Sequence, residues 1–198
     1  MHKVSWLASL LMMSLMVTGA FADEHDFLSE SRKVVKQFGG ELKQELLAAL
    51  NEGGPVTAIS VCSQKAPVIA EELAAGKSWT IARTSLSVRS PRNAPDTWQQ
   101  KTLESFAERK ASGEDPGKME HYEVVTVEGK DVFRYMKAIP VVEPCLTCHG
   151  QQLTHDLKSR LNELYPEDQA IGFSVGDIIG AFSVSMSMSS GLGSPQGQ

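Results

Sequence analysis

Three residues in the last third of the 198-residue chain carry its most specific chemistry: Cys145, Cys148 and His149, in the pattern C-x-x-C-H. Two thiols separated by two residues reach neighbouring vinyl groups on one edge of a porphyrin and add across them as thioethers. The adjacent imidazole then lies beneath the ring with a nitrogen aimed at the iron. The pattern is the attachment signature of c-type haem, one covalent haem per motif. Competing chemistries fit less well. A structural zinc site takes about four N or S ligands, and the chain has no second C-x-x-C. A dithiol oxidoreductase carries its pair at a helix start in a βαβ unit and does not need His149.

Export agrees with haem attachment, which takes place outside the bacterial cytoplasmic membrane. Residues 1–22 read as a secretory signal peptide: Lys3 is the basic end, Trp6 to Val17 the apolar stretch, and Ala20 and Ala22 flank a small-x-small cleavage site. The apolar stretch is shorter than the roughly 20 residues a bilayer span needs; an uncleaved anchor is the alternative. The expected mature chain starts after Ala22 and is periplasmic and soluble. Cleavage leaves 18 of the 19 basic side chains against 24 acidic ones, a net charge of −6 with histidines neutral. That balance argues against nucleic acid or an anionic membrane as partner and leaves room for a redox or signalling protein; a homodimer is equally compatible. Residues 23–188 are long enough for one domain with a real core, and the Ser, Gly, Pro and Gln-rich stretch 189–198 reads as a disordered tail.

Apolar residues near a 3.6 period predict a helical region over residues 24–50, hinged at Gly39 and Gly40. Gly53, Gly54 and Pro55 end it and start a second helix over 56–75, where Ile59, Cys62, Ala66, Ile69 and Leu73 share one face. Pro67 kinks or splits that helix, and Gly76 ends it. Residues 79–89 alternate as a strand, and 90–96 form a loop. Asp96 or Thr97 caps a helix to about Ser112, with Trp98, Leu103, Phe106 and Ala107 inward. A hairpin over 122–127 and 131–139 turns at Glu128 and Gly129. A short helix follows over 156–164, and a final strand over 178–188 has Phe182, Val184, Met186 and Met188 on one face and Ser183, Ser185 and Ser187 on the other. Helices first and a late hairpin describe an α+β domain with an antiparallel sheet, unlike the small helical fold of ordinary monohaem cytochromes.

The iron's second axial position has several candidates. His25 lies beside the expected mature N-terminus, His121 on a strand, and His155 close to His149; Met119, Met136, Met186 and Met188 read as core packing. Cys62 is the third cysteine of an exported chain, with no partner left for a disulfide if Cys145 and Cys148 are thioethers. It is either a small buried residue or a thiolate ligand, since a bound metal deprotonates a thiol. Arg83, Arg89 and Arg92 either pair with haem propionates or are solvated.

Four stretches also carry a family resemblance: residues 58–70 around Cys62 and Pro67; residues 83–96 with Arg83, Arg89, Pro91, Asn93, Pro95 and Asp96; residues 133–140 running into 144–150; and residues 176–185. In this order they resemble the PAS-like c-type haem-binding family, formerly a domain of unknown function, over roughly residues 25–188. The resemblance implies a PAS-like antiparallel sheet with flanking helices, one c-type haem, His149 as proximal ligand and Cys62 as distal ligand. The chain departs from many relatives at Ala138 and Ile139, where they have a proline directly after the lysine. A six-coordinate covalent haem suits electron transfer. The alternative is a redox or gas sensor, in which Cys62 leaves ferrous iron, admits CO or NO and signals to a separate partner. No distal acid–base pair marks the chain as an enzyme.

Overall fold

The computed structural model describes residues 18–188, with side chains from residue 24 onward. The apolar stretch of the expected signal peptide and the expected disordered tail lie outside these residues. Helix α1 (Thr18–Ser60) opens the fold. A π-helical turn (Val61–Lys65) leads into α2 (Ala66–Ala74), and β1 (Trp79–Thr84) follows. After α3 (Thr97–Ala111) come β2 (Glu120–Val127) and β3 (Lys130–Pro140). Two short helices, α4 (Leu146–His149) and α5 (His155–Leu164), precede the last strand, β4 (Ile178–Ser187). The strands form one antiparallel sheet in the order β1-β4-β3-β2, so the expected α+β architecture with flanking helices is present. No helix among the described residues is long and apolar enough to cross a membrane.

The sheet is covered on both faces. Val34, Val35, Phe38 and Leu42 of α1 bury against Ile81, Phe133, Tyr135, Val184 and Met186. On the other face, Leu103 and Phe106 of α3 bury against Met136, Ala138 and Ala181. The serine face of β4 is therefore not uniformly wet: Ser183 is buried and accepts a hydrogen bond from Gln99 Nε2 at 3.0 Å. Asp96 caps α3 by accepting from the Gln99 N–H while the Gln99 side chain accepts from the Asp96 N–H, a reciprocal capping box. Ala107, expected inward, is exposed.

Three local rules shape the helical half. The hinge expected at Gly39 and Gly40 does not form. α1 continues through both glycines, and Gly39 lets it approach the Phe182 ring, whose Cζ would lie 3.1 Å from an added Cβ. The break comes at Gly54, with φ 71° and ψ −167°, a region closed to residues with a side chain. The helix expected over 56–75 is split, as Pro67 requires. Proline has no N–H to give the carbonyl four residues back, and its ring crowds that carbonyl. The chain answers with the π turn, in which the Ala66 N–H reaches back to the Val61 carbonyl. At the sheet, the strand expected to reach Arg89 ends at Thr84. Ser85 Oγ there donates to the Ile179 carbonyl at 2.6 Å and accepts from the Ser87 N–H at 3.1 Å, turning the chain off the sheet.

The two glycine environments have opposite expected consequences. Gly54→Ala is expected to destabilise the chain by about 1–3 kcal/mol. Gly40→Ala, at a helical position with open space around it, is expected to stabilise it by about 0.5–1 kcal/mol. Urea unfolding of the two variants checks this; equal effects would remove the break at Gly54 from the account.

Candidate functional site

Strand β3 delivers the chain to the C-x-x-C-H segment. Its pairing with β4 shifts register between Ile139 and Pro140, at the stretch where the sequence departs from its resemblance. Val141 is then buried and held to the far loop: its N–H donates to the Asp177 carbonyl at 2.8 Å, and its carbonyl accepts from the Gly176 N–H at 2.9 Å. A single 3-10 turn, Glu143–Cys145, leads into α4. Four residues cannot sustain a helix by themselves, so α4 is held from outside. The Gly150 N–H closes it on the Leu146 carbonyl at 2.9 Å, the Phe173 N–H donates to the His149 carbonyl at 3.0 Å, and the Gly172 N–H donates to the Gly150 carbonyl at 3.1 Å. Gly150 permits this closure, because an added Cβ would lie 2.5 Å from the Leu146 oxygen.

All three cysteines are free and partly buried. Cys148 packs against a cluster formed by Ile59 at the end of α1 and by Leu157, Leu161 and Tyr165 at α5. Burial pushes the Cys148 thiol pKa up. The Arg89 guanidinium opposes that rise, and the neighbouring Cys62 and Cys145 thiols add to it.

His149 is oriented from its Nδ1 side, which lies 2.7 Å from the Ala170 carbonyl oxygen. A carbonyl only accepts, so Nδ1 carries the proton and Nε2 keeps the lone pair. Burial, reinforced by the Arg89 charge, lowers the imidazole pKa from 6.5 to about 4, leaving a neutral ring near pH 7. An imidazole with Nδ1 tied to a backbone carbonyl and Nε2 available is the usual form of a metal-ligating histidine. Arg89 lies at the centre of this region. Its Nε donates to Asp168 Oδ2 at 3.0 Å, its Nη2 to the Cys148 carbonyl at 2.7 Å and the Ala170 carbonyl at 3.0 Å, and its Nη1 lies 3.5 Å from His149 Nε2. Arg89 is thus neither a solvated strand residue nor a free cation.

Cys62 sits in the π turn. In an α-helix its carbonyl would accept from the Ala66 N–H, which here goes to Val61. The released Cys62 carbonyl accepts from Arg83 Nη2 at 3.4 Å. Arg83 and Cys62 also line a cavity of about 290 Å³ together with Phe38, Trp79, Ile81 and Arg92. Arg83 and Arg92 therefore flank an open space, whereas Arg89 is spent on protein groups.

The other candidates for the second ligand lie elsewhere. His25 and His155 are exposed beside Asp26 and Asp156, and His121 lies beside Trp98 on the α3 face, ring centroids 5.6 Å apart and planes tilted by 32°. Met119 and Met136 bury under α3, and Met186 buries under α1. No cluster of three His, Cys, Asp or Glu side chains able to hold a bare metal ion occurs among the described residues. Sequence reasoning missed Asp168, Ala170 and Phe173, which follow the motif by about 20 residues and carry no motif of their own. Gly150 was visible in the sequence, directly after His149, without its steric role being apparent.

A family model described as Tll0287-like matches residues 10–187. No curated protein matches the sequence. Among solved structures, the chain is similar to the crystal structure of the cyanobacterial haem protein Tll0287, with 25% identity and a TM-score of 0.62, over 83% of this chain and 96% of that one.

The burial of neutral His149 has a consequence for stability. The unfolded imidazole takes up a proton near pH 6.5, whereas the folded one does so only near pH 4. Between these values the unfolded state binds more protons, so stability falls as pH drops through that window. The loss is at most about 3.5 kcal/mol, at about 1.4 kcal/mol per pH unit. Unfolding of the haem-free chain at several pH values, compared with His149→Asn, is expected to show this component in the parent alone; parallel profiles would contradict it.

Proposed function

The chain belongs to the Tll0287-like family, and from that premise we propose that it is an exported monohaem c-type protein that transfers electrons. Cys145 and Cys148 form the two thioethers, His149 ligates the iron through Nε2, and Cys62 supplies the opposite ligand. The observation that carries the reading is the His149 geometry: a neutral imidazole held through Nδ1 by Ala170, directly after two unpaired, partly exposed thiols. The similarity to a cyanobacterial haem protein supports the choice of cofactor, and the donor set of two thiols, an imidazole and a third thiol fits haem c. The haem would supply one-electron chemistry between ferric and ferrous iron.

The protein's part is retention, orientation and exclusion. Covalent attachment keeps the cofactor in place in both oxidation states. The Ala170 carbonyl fixes the ring plane and tautomer of His149 and strengthens it as a donor. The Arg83 and Arg92 guanidiniums beside the Cys62 cavity are suited to carboxylates and are the proposed seat of the propionates. The Asp23 start, the periplasmic location and an unidentified redox partner belong to the same proposal.

A second reading, a redox or gas sensor, is supported by one observation: Cys62 is carried on a π turn forced by Pro67. Such turns are found at functional sites, and this one sets the Cys62 thiol apart from the regular helical ladder. Spectra of the haem-loaded protein separate the readings. Cys62→Ser is expected to abolish the ferric thiolate charge-transfer bands; an unchanged spectrum would remove Cys62 as a ligand. A ferrous wild type that resists CO supports electron transfer, and rapid CO binding supports sensing.

A further inference from the structure

Arg89 and Asp168 form the most enclosed ion pair of the described residues, their side chains 11% and 8% exposed. Such a pair is costly to desolvate unless its remaining donors and acceptors are satisfied, and here they are. Arg89 Nε and Nη2 both reach Asp168 Oδ2, at 3.0 and 2.9 Å. Asp168 Oδ1 accepts from the Ala170 N–H at 2.8 Å. Arg89 Nη2 also donates to the carbonyls of Cys148 and Ala170. The ring closes on the iron-facing histidine, because Ala170 is the residue whose carbonyl holds His149 Nδ1. One side chain thus ties the second attachment cysteine to the loop that orients the ligand, while Asp168 holds that same loop from its other side.

We propose that the Arg89–Asp168 pair is a positioning device with a balanced charge: it sets His149 and Cys148 for the haem and holds two opposite charges beside the iron ligand. The inference rests on the haem reading above. Only one arm of Arg89 stands in the way of a ligated His149: Nη1, near the Nε2 lone pair. The guanidinium is planar and rigid, so iron at Nε2 requires it to shift as a unit, and the positioning role requires that shift to keep Nε and Nη2 within hydrogen-bonding reach of Asp168, Cys148 and Ala170. Neither residue touches the iron; both act through His149 and Cys148. A fixed positive charge near haem favours ferrous iron and a fixed negative charge favours ferric iron, since net charge and outer hydrogen bonds set the potential. The pair keeps the two effects opposed. A residue serving only to pack the loop would have no such signed effect.

Reduction midpoints of the haem-loaded protein test this. Arg89→Gln leaves Asp168 uncompensated and is expected to lower the midpoint. Asp168→Asn leaves Arg89 uncompensated and is expected to raise it. The double variant is expected to return close to wild type, and Arg89→Lys to stay closer to wild type than Arg89→Gln. Where Arg89→Gln does not accumulate, Asp168→Asn against Asp168→Glu decides the same point: Asn raises the midpoint and Glu does not. Shifts of the same sign in the Arg89→Gln and Asp168→Asn variants, or no shift in either, overturn the inference while leaving the haem reading intact. A wild type that carries no covalent haem overturns both.

Discussion

A single 3-10 turn and the four-residue helix α4 carry both motif thiols and the motif histidine, and nothing inside these short pieces keeps them folded. Every feature around α4 follows from that constraint. Its own ladder amounts to one closing turn, from Gly150 to Leu146. Its position is imposed by Cys148 packing on Ile59 and α5, by the 170–173 loop hydrogen-bonded along it, and by Arg89 beneath. Apart from α5, which follows α4 directly, these contacts come from parts of the chain distant in sequence. The site therefore forms only when the sheet, the end of α1 and the loop before β4 are already in place. A C-x-x-C-H motif this late in the chain becomes a destination for the fold rather than its starting point.

Proline and glycine do the corresponding work on the other side. Gly54 breaks α1 and Pro67 widens the following turn, so the segment carrying Cys62 is not a continuation of the long helix. The widening frees the Cys62 carbonyl, and Arg83 on β1 takes it. The same turn that sets the cysteine apart thereby anchors it to the sheet. The two proposed iron ligands are held by unlike means: His149 by an enclosed charge network, and Cys62 by a helix defect with one long hydrogen bond.

The candidate site was legible in the sequence as a motif, because Cys145, Cys148 and His149 lie within five residues and their spacing has few other uses. The helix break at Gly54, the split at Pro67, the cap at Asp96 and the hairpin at Glu128 and Gly129 were legible for the same reason: each is a short-range steric or hydrogen-bonding rule. The role of Arg89 was not. Alternation through Ser85 and Ser87 suggested a strand, but distant carbonyls and amides, with Ile179 and Asn93 holding Ser85 and Gln169 bonded to Val88, turn the chain off the sheet before Arg89. Ala107 failed similarly, since the helical period gives a face but not its width, and α3 meets the sheet along a narrow line at Leu103 and Phe106. Asp168 and Ala170 had no signal at all, as a loop aspartate and a backbone carbonyl become functional only through what they meet in space.

The central claim is a covalent haem on Cys145 and Cys148. Its most direct test is the intact mass of the chain, expressed with export and a haem-attachment system, before and after acid-acetone extraction. The expected result is a mature chain heavier by one haem that extraction does not remove, with the added mass on the peptide containing Cys145 and Cys148. A chain of unmodified mass, or a haem that extraction strips completely, would contradict the account.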